Sequence, residues 1–223
     1  MGGAVGGRGR FITIEGGEGV GKSALTRGLV EALRARGHEV VATREPGGTP
    51  AADRIRAVFA TAPADDPLAA RTEALLVSAA RAQHVERLVA PALARGAWVV
   101  SDRYADSTRV YQGTLLGLPA DELETLIAYS TGGLAPDLTL LLDLGVTEAR
   151  ARLAGRGLGG APQVDAVTRY DEATTSDQER LREAFLALAR RFPARFVTLD
   201  ASVAPGGVLR AAVATVEARL GQA

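Results

Sequence analysis

"IEGGEGVGKSA", residues 14–24, joins the end of an apolar run to a glycine-rich loop and a helix-like continuation. Within it, Gly16, Gly17, Glu18, Gly19, Val20, Gly21, Lys22 and Ser23 fit the pattern G-x-x-x-x-G-K-[ST]. Glycines lack a Cβ, so successive backbone N–H groups can turn inward and form a concavity for an anion. A helix beginning near Lys22 aims its positive dipole end at the same point. Lys22 can then reach the β- and γ-phosphates of a nucleotide, and the Ser23 hydroxyl can ligate Mg²⁺. The motif follows a strand and opens a helix, which is the context it requires. It does not say what receives the phosphate, because such loops serve switches, motors and kinases alike.

Working outward, five segments read as buried strands: "FITIE" (11–15), "VVATRE" (40–45), "WVVSD" (98–102), "LTLLLD" (138–143) and "RFVTLD" (195–200). Their apolar residues run on without alternation, as strands covered on both faces require. Helix-like stretches separate them. Leu25, Leu29 and Leu33 recur every four residues and Gly37 follows at a C-cap position. Residues 68–95 are apolar-periodic, with Pro91 expected to kink or restart the helix, and 204–220 give a closing helix. Alternation of strand and helix predicts an α/β fold, a parallel sheet with helices on both faces. Residues 1–9 are expected to be a flexible leader, and 10–223 one domain.

The bulk composition narrows the function. Of 223 residues, 47% are hydrophobic, enough for one sizeable core. Lys+Arg 26 balances Asp+Glu 26, so no global field draws the chain to nucleic acid or a membrane surface. The absence of cysteine excludes disulfides, thiolate metal sites and a cysteine nucleophile. No apolar run is long enough to span a bilayer, and "MGGAVGGRGR" lacks the apolar centre of a signal peptide, so a cytoplasmic protein is expected. His38 and His84 have no carboxylate or cysteine at ligand spacing and are read as surface or packing residues, and Trp98 as a packing residue.

Two further clusters carry chemistry. "TREPGGT" (43–49) closes the second strand with Arg44, a carboxylate and a Pro-Gly-Gly turn, and "SDRYADSTRVYQG" (101–113) closes the third. Ligands of open parallel sheets sit beyond the carboxyl ends of the strands, so both clusters face the crevice of the glycine loop. Arg44 and Arg103 are placed to grip a second phosphate with their planar forks. A glycine-rich, then polar stretch, 154–180, with arginines at 150, 152, 156, 169 and 180 on and around it, reads as an arginine-bearing lid.

With these pieces in order, the sequence resembles thymidylate kinases, on "EGGEGVGKS", "TREPGGT", "AARAQHV", "SDRYADSTRVYQG" and "APDLTLLLD", over residues 10–220. The resemblance implies a P-loop three-layer fold with a five-stranded parallel core, a mobile lid at about 150–175, and a homodimer. It implies that ATP and Mg²⁺ serve dTMP, with Gly16 to Ser23 on the ATP phosphates and Lys22 stabilising the transferring group. Ser23 and Asp102 would serve the metal, Arg44 and Arg103 would clamp the acceptor phosphate, and Glu18 would hold the acceptor's sugar hydroxyl. Arg81 would meet the thymine edge, and Pro46, Val77, Ser107, Thr108, Tyr111 and Gln112 would line base and sugar, with Tyr111 crowding out a ribose 2′-hydroxyl. Arg152, Arg156 and Arg169 would be lid arginines, and Asp171 would stand in for the lid carboxylate.

Asp143 also ends a strand, but Asp102 is preferred because Arg103 adjoins it and the family pattern matches there. Three positions depart from the pattern: Val77 stands where a phenylalanine usually stacks on thymine, Ala24 where a second hydroxyl is common, and "TRYDEATTSDQ" differs in the lid. A valine widens the base slot, so a kinase for another 5-substituted deoxyuridine monophosphate is the first alternative. A nucleotide-dependent binding switch is the second. A kinase of DNA or RNA ends is poorly served by balanced charge without a basic stripe.

Overall fold

The computed structural model describes residues 8–63, 65–156, 170 and 173–221. Five strands, β1 (Phe11–Glu15), β2 (Val40–Arg44), β3 (Trp98–Asp102), β4 (Leu138–Asp143) and β5 (Phe196–Asp200), form one all-parallel sheet in the order β2-β3-β1-β4-β5. The expected strands are thus all present, within a residue at either end. β1 is central, and side chains alternate across it. Ile12 and Ile14 enter one core layer with Leu25, Leu29 and Leu33 of α1 (Lys22–Ala35) and Val208, Ala212 and Val216 of α9 (Pro205–Leu220). Phe11, on the opposite face, packs with Val85, Val89, Tyr104 and Ile127.

α1 begins where the glycine loop ends and stops at Ala35, with Gly37 at φ 89 just beyond it, the left-handed position that lets the chain turn back into β2. α2 (Pro50–Ala60) is capped by Thr49, whose side chain accepts from Ala52 N at 3.2 Å. α3 (Ala70–His84) passes through a π-helical turn, Val85–Val89, into α4 (Ala90–Ala94), and Pro91 stands in the first turn of α4. The change expected at Pro91 is present as a change of winding, the π-helical turn directly preceding α4. α5 (Ala105–Thr108) likewise continues as a π-helical stretch, Arg109–Leu115, and α6 (Ala120–Thr131) follows.

After β4 come α7 (Val146–Arg156) and α8 (Thr175–Arg191), so residues 150–156 of the expected lid are the second half of α7. Phe185 and Leu181 of α8 pack with Tyr111, Leu141, Tyr170 and Phe196. The end of the expected leader is not loose: Gly9 is buried and its N–H donates to Leu93 O at 2.9 Å, and Arg8 pairs with Asp137 at 3.2 Å. Trp98 packs as expected, its ring 4.4 Å from that of His38.

Candidate active site

The sheet register decides what can meet. Asp102 lies opposite Ile14 on one side and Arg44 on the other, so the ends of β1, β3 and β2 share one edge. The glycine loop leaves that edge from Glu15 and returns into α1 at Lys22. Gly16 and Gly19 have φ 141 and 77, and a Cβ on them would lie 2.6 Å from Leu142 O and 2.4 Å from Ala149 O. Both the backbone conformation and the close approach therefore demand glycine there. Ser23 donates its hydroxyl to Asp102 Oδ2 at 2.8 Å, joining the loop to the end of β3.

Arg103 occupies a left-handed backbone position, φ 70, immediately after β3, and its N–H donates to Ile14 O at 2.9 Å. The guanidinium turns into the loop: Nη1 donates to Gly16 O at 3.1 Å and Ser107 Oγ at 3.2 Å, and Nη2 to Glu18 Oε1 at 2.5 Å. Its Cζ lies 5.0 Å from the centre of the Tyr111 ring, and the Tyr111 hydroxyl also donates to Glu18, at 3.0 Å. Burial by itself would raise the Glu18 pKa, but Arg103 and then Lys22 outweigh it and hold the carboxyl down to about 2. Lys22 donates to Gly17 O at 2.5 Å and lies 3.6 Å from Glu18. Burial and the neighbouring Arg103 lower its pKa.

Behind this layer is a fully buried carboxylate, Glu15, accepting from Tyr104 N at 2.8 Å and Ser107 Oγ at 2.7 Å. Burial first, and repulsion from Asp106 second, push its pKa from 4.5 up to about 7 against the pull of Arg103. Asp106 is itself held by Arg195 at 2.6 and 2.8 Å and by Arg109 at 3.0 Å.

A second polar group lies under the turn after β2. Glu45 precedes a cis Pro46. Its Oε2 accepts from Arg81 Nε at 2.8 Å, and its Oε1 faces His84 Nδ1 at 2.9 Å. Arg81 Nη2 donates to Thr108 Oγ1 at 2.8 Å. Gln112, expected on the acceptor, donates its amide to Glu73 Oε1 at 2.7 Å, and the Tyr170 hydroxyl donates to the same oxygen.

A family model described as "Thymidylate kinase" matches residues 14–210. The thymidylate kinase of Alkalilimnicola ehrlichii is 45% identical over 217 residues, spanning 97% of this chain and 94% of that protein. That of Pseudomonas putida is 47% identical over 194 residues (87% and 88%), and that of Caulobacter vibrioides 43% over 216 (96% and 99%). The chain belongs to the thymidylate kinase family.

In this family member, the residues expected from Gly16 to Ser23, with Asp102, Arg103, Ser107 and Tyr111, do converge on one edge. Arg44 lies there by register, its guanidinium 3.7 Å from Asp53 of α2. Val77, Arg81, Thr108 and Gln112 are buried, and the last three are tied to protein partners. Asp143, the rival metal carboxylate, is taken by Arg182 at 2.7 and 3.0 Å. Arg152 donates to Glu148 Oε1 at 2.6 Å and to Ala201 O at 3.0 Å. Arg169 and Asp171 lie outside the described residues, and Arg156 is described only as part of α7. Glu15, Glu45, Glu73, His84 and Tyr170 were given no site role in sequence. Glu15 was legible only as a carboxylate ending an apolar strand, and Glu45 as the acid of "TREPGG".

Among the described residues no group of three or more His, Cys, Asp or Glu could hold a metal ion. One hydroxyl and one carboxylate, Ser23 and Asp102, instead suit a hard cation that keeps waters and takes phosphate oxygens, as Mg²⁺ does.

The raised pKa of Glu15 makes stability depend on pH. The folded chain holds a proton that the unfolded chain releases between pH 4.5 and about 7, so this contribution is full below 4.5 and lost as pH rises through about 7. Urea unfolding at pH 5 and pH 8 should show a fall in stability across that window, flattened in Glu15→Gln. An equal slope in both proteins would contradict the assignment.

Proposed function

We propose that the protein transfers the γ-phosphate of ATP to dTMP, giving dTDP, and that Mg²⁺ is required. Family membership across residues 14–210 carries the reaction. The Ser23–Asp102 hydrogen bond, where the loop meets the end of β3, is the observation that supports this placement of the site. In this reading the backbone of Gly16 to Gly21 cradles the donor phosphates and Lys22 lies beside the transferring group. Mg²⁺, held by Ser23 and Asp102, neutralises phosphate oxygens when bound. Arg44 and Arg103 hold the acceptor phosphate, Glu18 a sugar hydroxyl, and Arg81 the base edge. Pro46, Val77 and Tyr111 bound the acceptor, while Ser107, Thr108 and Gln112 act through the groups they hold in place. Arg156 and Arg169, with Asp171, complete the charge around the transferring phosphate.

Little covalent chemistry is asked of the side chains. The attacking oxygen already belongs to a phosphate monoester dianion, so no strong base is needed. What remains is in-line placement, charge neutralisation and exclusion of the water that would compete as acceptor.

Arg103 touches the loop itself, so removing it disturbs the donor site as well; Arg44 gives the cleaner separation. Arg44→Ala should lower kcat/KM for dTMP by about a hundredfold, with ATP affinity changed less than about twofold. A nucleotide switch would show no such loss. Val77, buried in α3, motivates a second reading in which a bulkier 5-substituted deoxyuridine monophosphate is preferred. Steady-state assays of that panel with ATP should rank dTMP first, and a faster larger analogue would reverse the assignment of substrate.

The family resemblance also motivates pairing of two copies. The exposed Leu75 of α3 (56%) and Tyr129 of α6 (88%), near an open groove of about 430 Å³ between these helices, support that reading. Sedimentation equilibrium should give a dimer, converted to monomer by Leu75→Glu. A parent protein sedimenting at 23.1 kDa would refute it.

A further inference from the structure

We infer that Glu45 and His84 are positioning residues that fix the direction in which Arg81 offers its uncommitted nitrogen, Nη1, and that this direction sets the choice between a carbonyl and an amino group on the acceptor base. The inference rests on the reading of Arg81 as the group that meets the base.

Arg81 is 1% exposed, and a guanidinium is a rigid planar fork of donors. Its Nε donates to Glu45 Oε2 at 2.8 Å and its Nη2 to Thr108 Oγ1 at 2.8 Å, so two of the fork's three nitrogens are pinned. The plane and heading of the third follow from geometry. That third nitrogen, Nη1, is buried and has no hydrogen-bond partner among the described residues. An unpaired buried donor is costly unless a ligand satisfies it. Nη1 cannot accept, so it fits a carbonyl oxygen and leaves an amino group facing another donor.

Glu45 can pin Arg81 only while its own carboxylate is held. Its other oxygen, Oε1, takes the Nδ1 proton of His84 at 2.9 Å, and His84 Nε2 is engaged by Thr43 Oγ1 at 2.7 Å. His84 is fully buried, and Gly48 makes room for it: a Cβ at Gly48 would lie 2.7 Å from His84 Cδ2 and 2.5 Å from Thr43 Oγ1. The line Thr43–His84–Glu45–Arg81 therefore runs from the end of β2 through α3 to the free donor. Without His84, Oε1 loses its partner and the carboxylate is free to rotate and take both of its hydrogen bonds from Arg81, turning the fork.

The test uses the full-length enzyme and two acceptors that differ at C4 of the base, dTMP with a carbonyl and 5-methyl-dCMP with an amino group. KM and kcat for dTMP, KM for ATP, the inhibition constant of 5-methyl-dCMP and Tm are measured for the parent, His84→Leu, His84→Asn and Thr43→Val. His84→Leu should raise KM for dTMP about tenfold, with kcat, KM for ATP and 5-methyl-dCMP affinity each within about twofold, so that discrimination falls about tenfold. Asparagine, which can present a donor where Nδ1 stood, should restore most of it. Thr43→Val, which loses one hydroxyl without removing the imidazole, should give an intermediate loss and serves if the leucine variant does not fold. Equal weakening of both acceptors, no change in either, or asparagine behaving as leucine would overturn the inference. A parent without dTMP turnover would remove the proposed function and this inference with it, whereas an active parent with undiminished discrimination in the variants would remove the inference alone.

Discussion

Two neighbouring parallel strands, β1 and β3, end side by side, and almost everything at the site depends on that coincidence of height. It places Asp102 next to Ile14 and hands the backbone directly from strand to loop on one side and from strand to Arg103 on the other. The Arg103–Glu18 ion pair then binds the two ends together across the crevice. Such a pair is expensive to desolvate and is retained only where geometry is good. Here the carboxylate takes a guanidinium N–H and a tyrosine hydroxyl on the same oxygen. The left-handed backbone of Arg103 is the local strain this arrangement carries.

The parts of the fold that were legible in sequence are those set by local pattern. Buried parallel strands write themselves as uninterrupted apolar runs, and β1, β3 and β4 are almost wholly enclosed. The glycine loop is legible because its chemistry needs a fixed spacing within eight residues. Asp102 and Arg103 were legible because the first closes an apolar strand and the second follows it. What was not legible depends on partners far apart in the chain. Gln112 finds Glu73 across 39 residues and Tyr170 finds the same carboxylate across 97, and no local signal announces either. His84 looked isolated because its carboxylate, Glu45, is likewise 39 residues away.

The two π-helical stretches belong to the same category. Arg109–Leu115 carries Tyr111 and Gln112, and the wider turn changes which side chains of that segment share a face. The family resemblance assigns Gln112 to the acceptor, whereas its amide is committed to Glu73. Buried polar groups around the site are thus partnered first with one another.

Gly19 brings the loop's backbone against that of α7, close enough that even a methyl group would collide with the carbonyl of Ala149. The glycine loop and α7 are therefore in direct backbone contact. Thermodynamic reciprocity gives this contact a meaning for regulation: whatever factor a ligand at the loop imposes on the tilt of α7, any event that tilts α7 must return to the affinity of the loop.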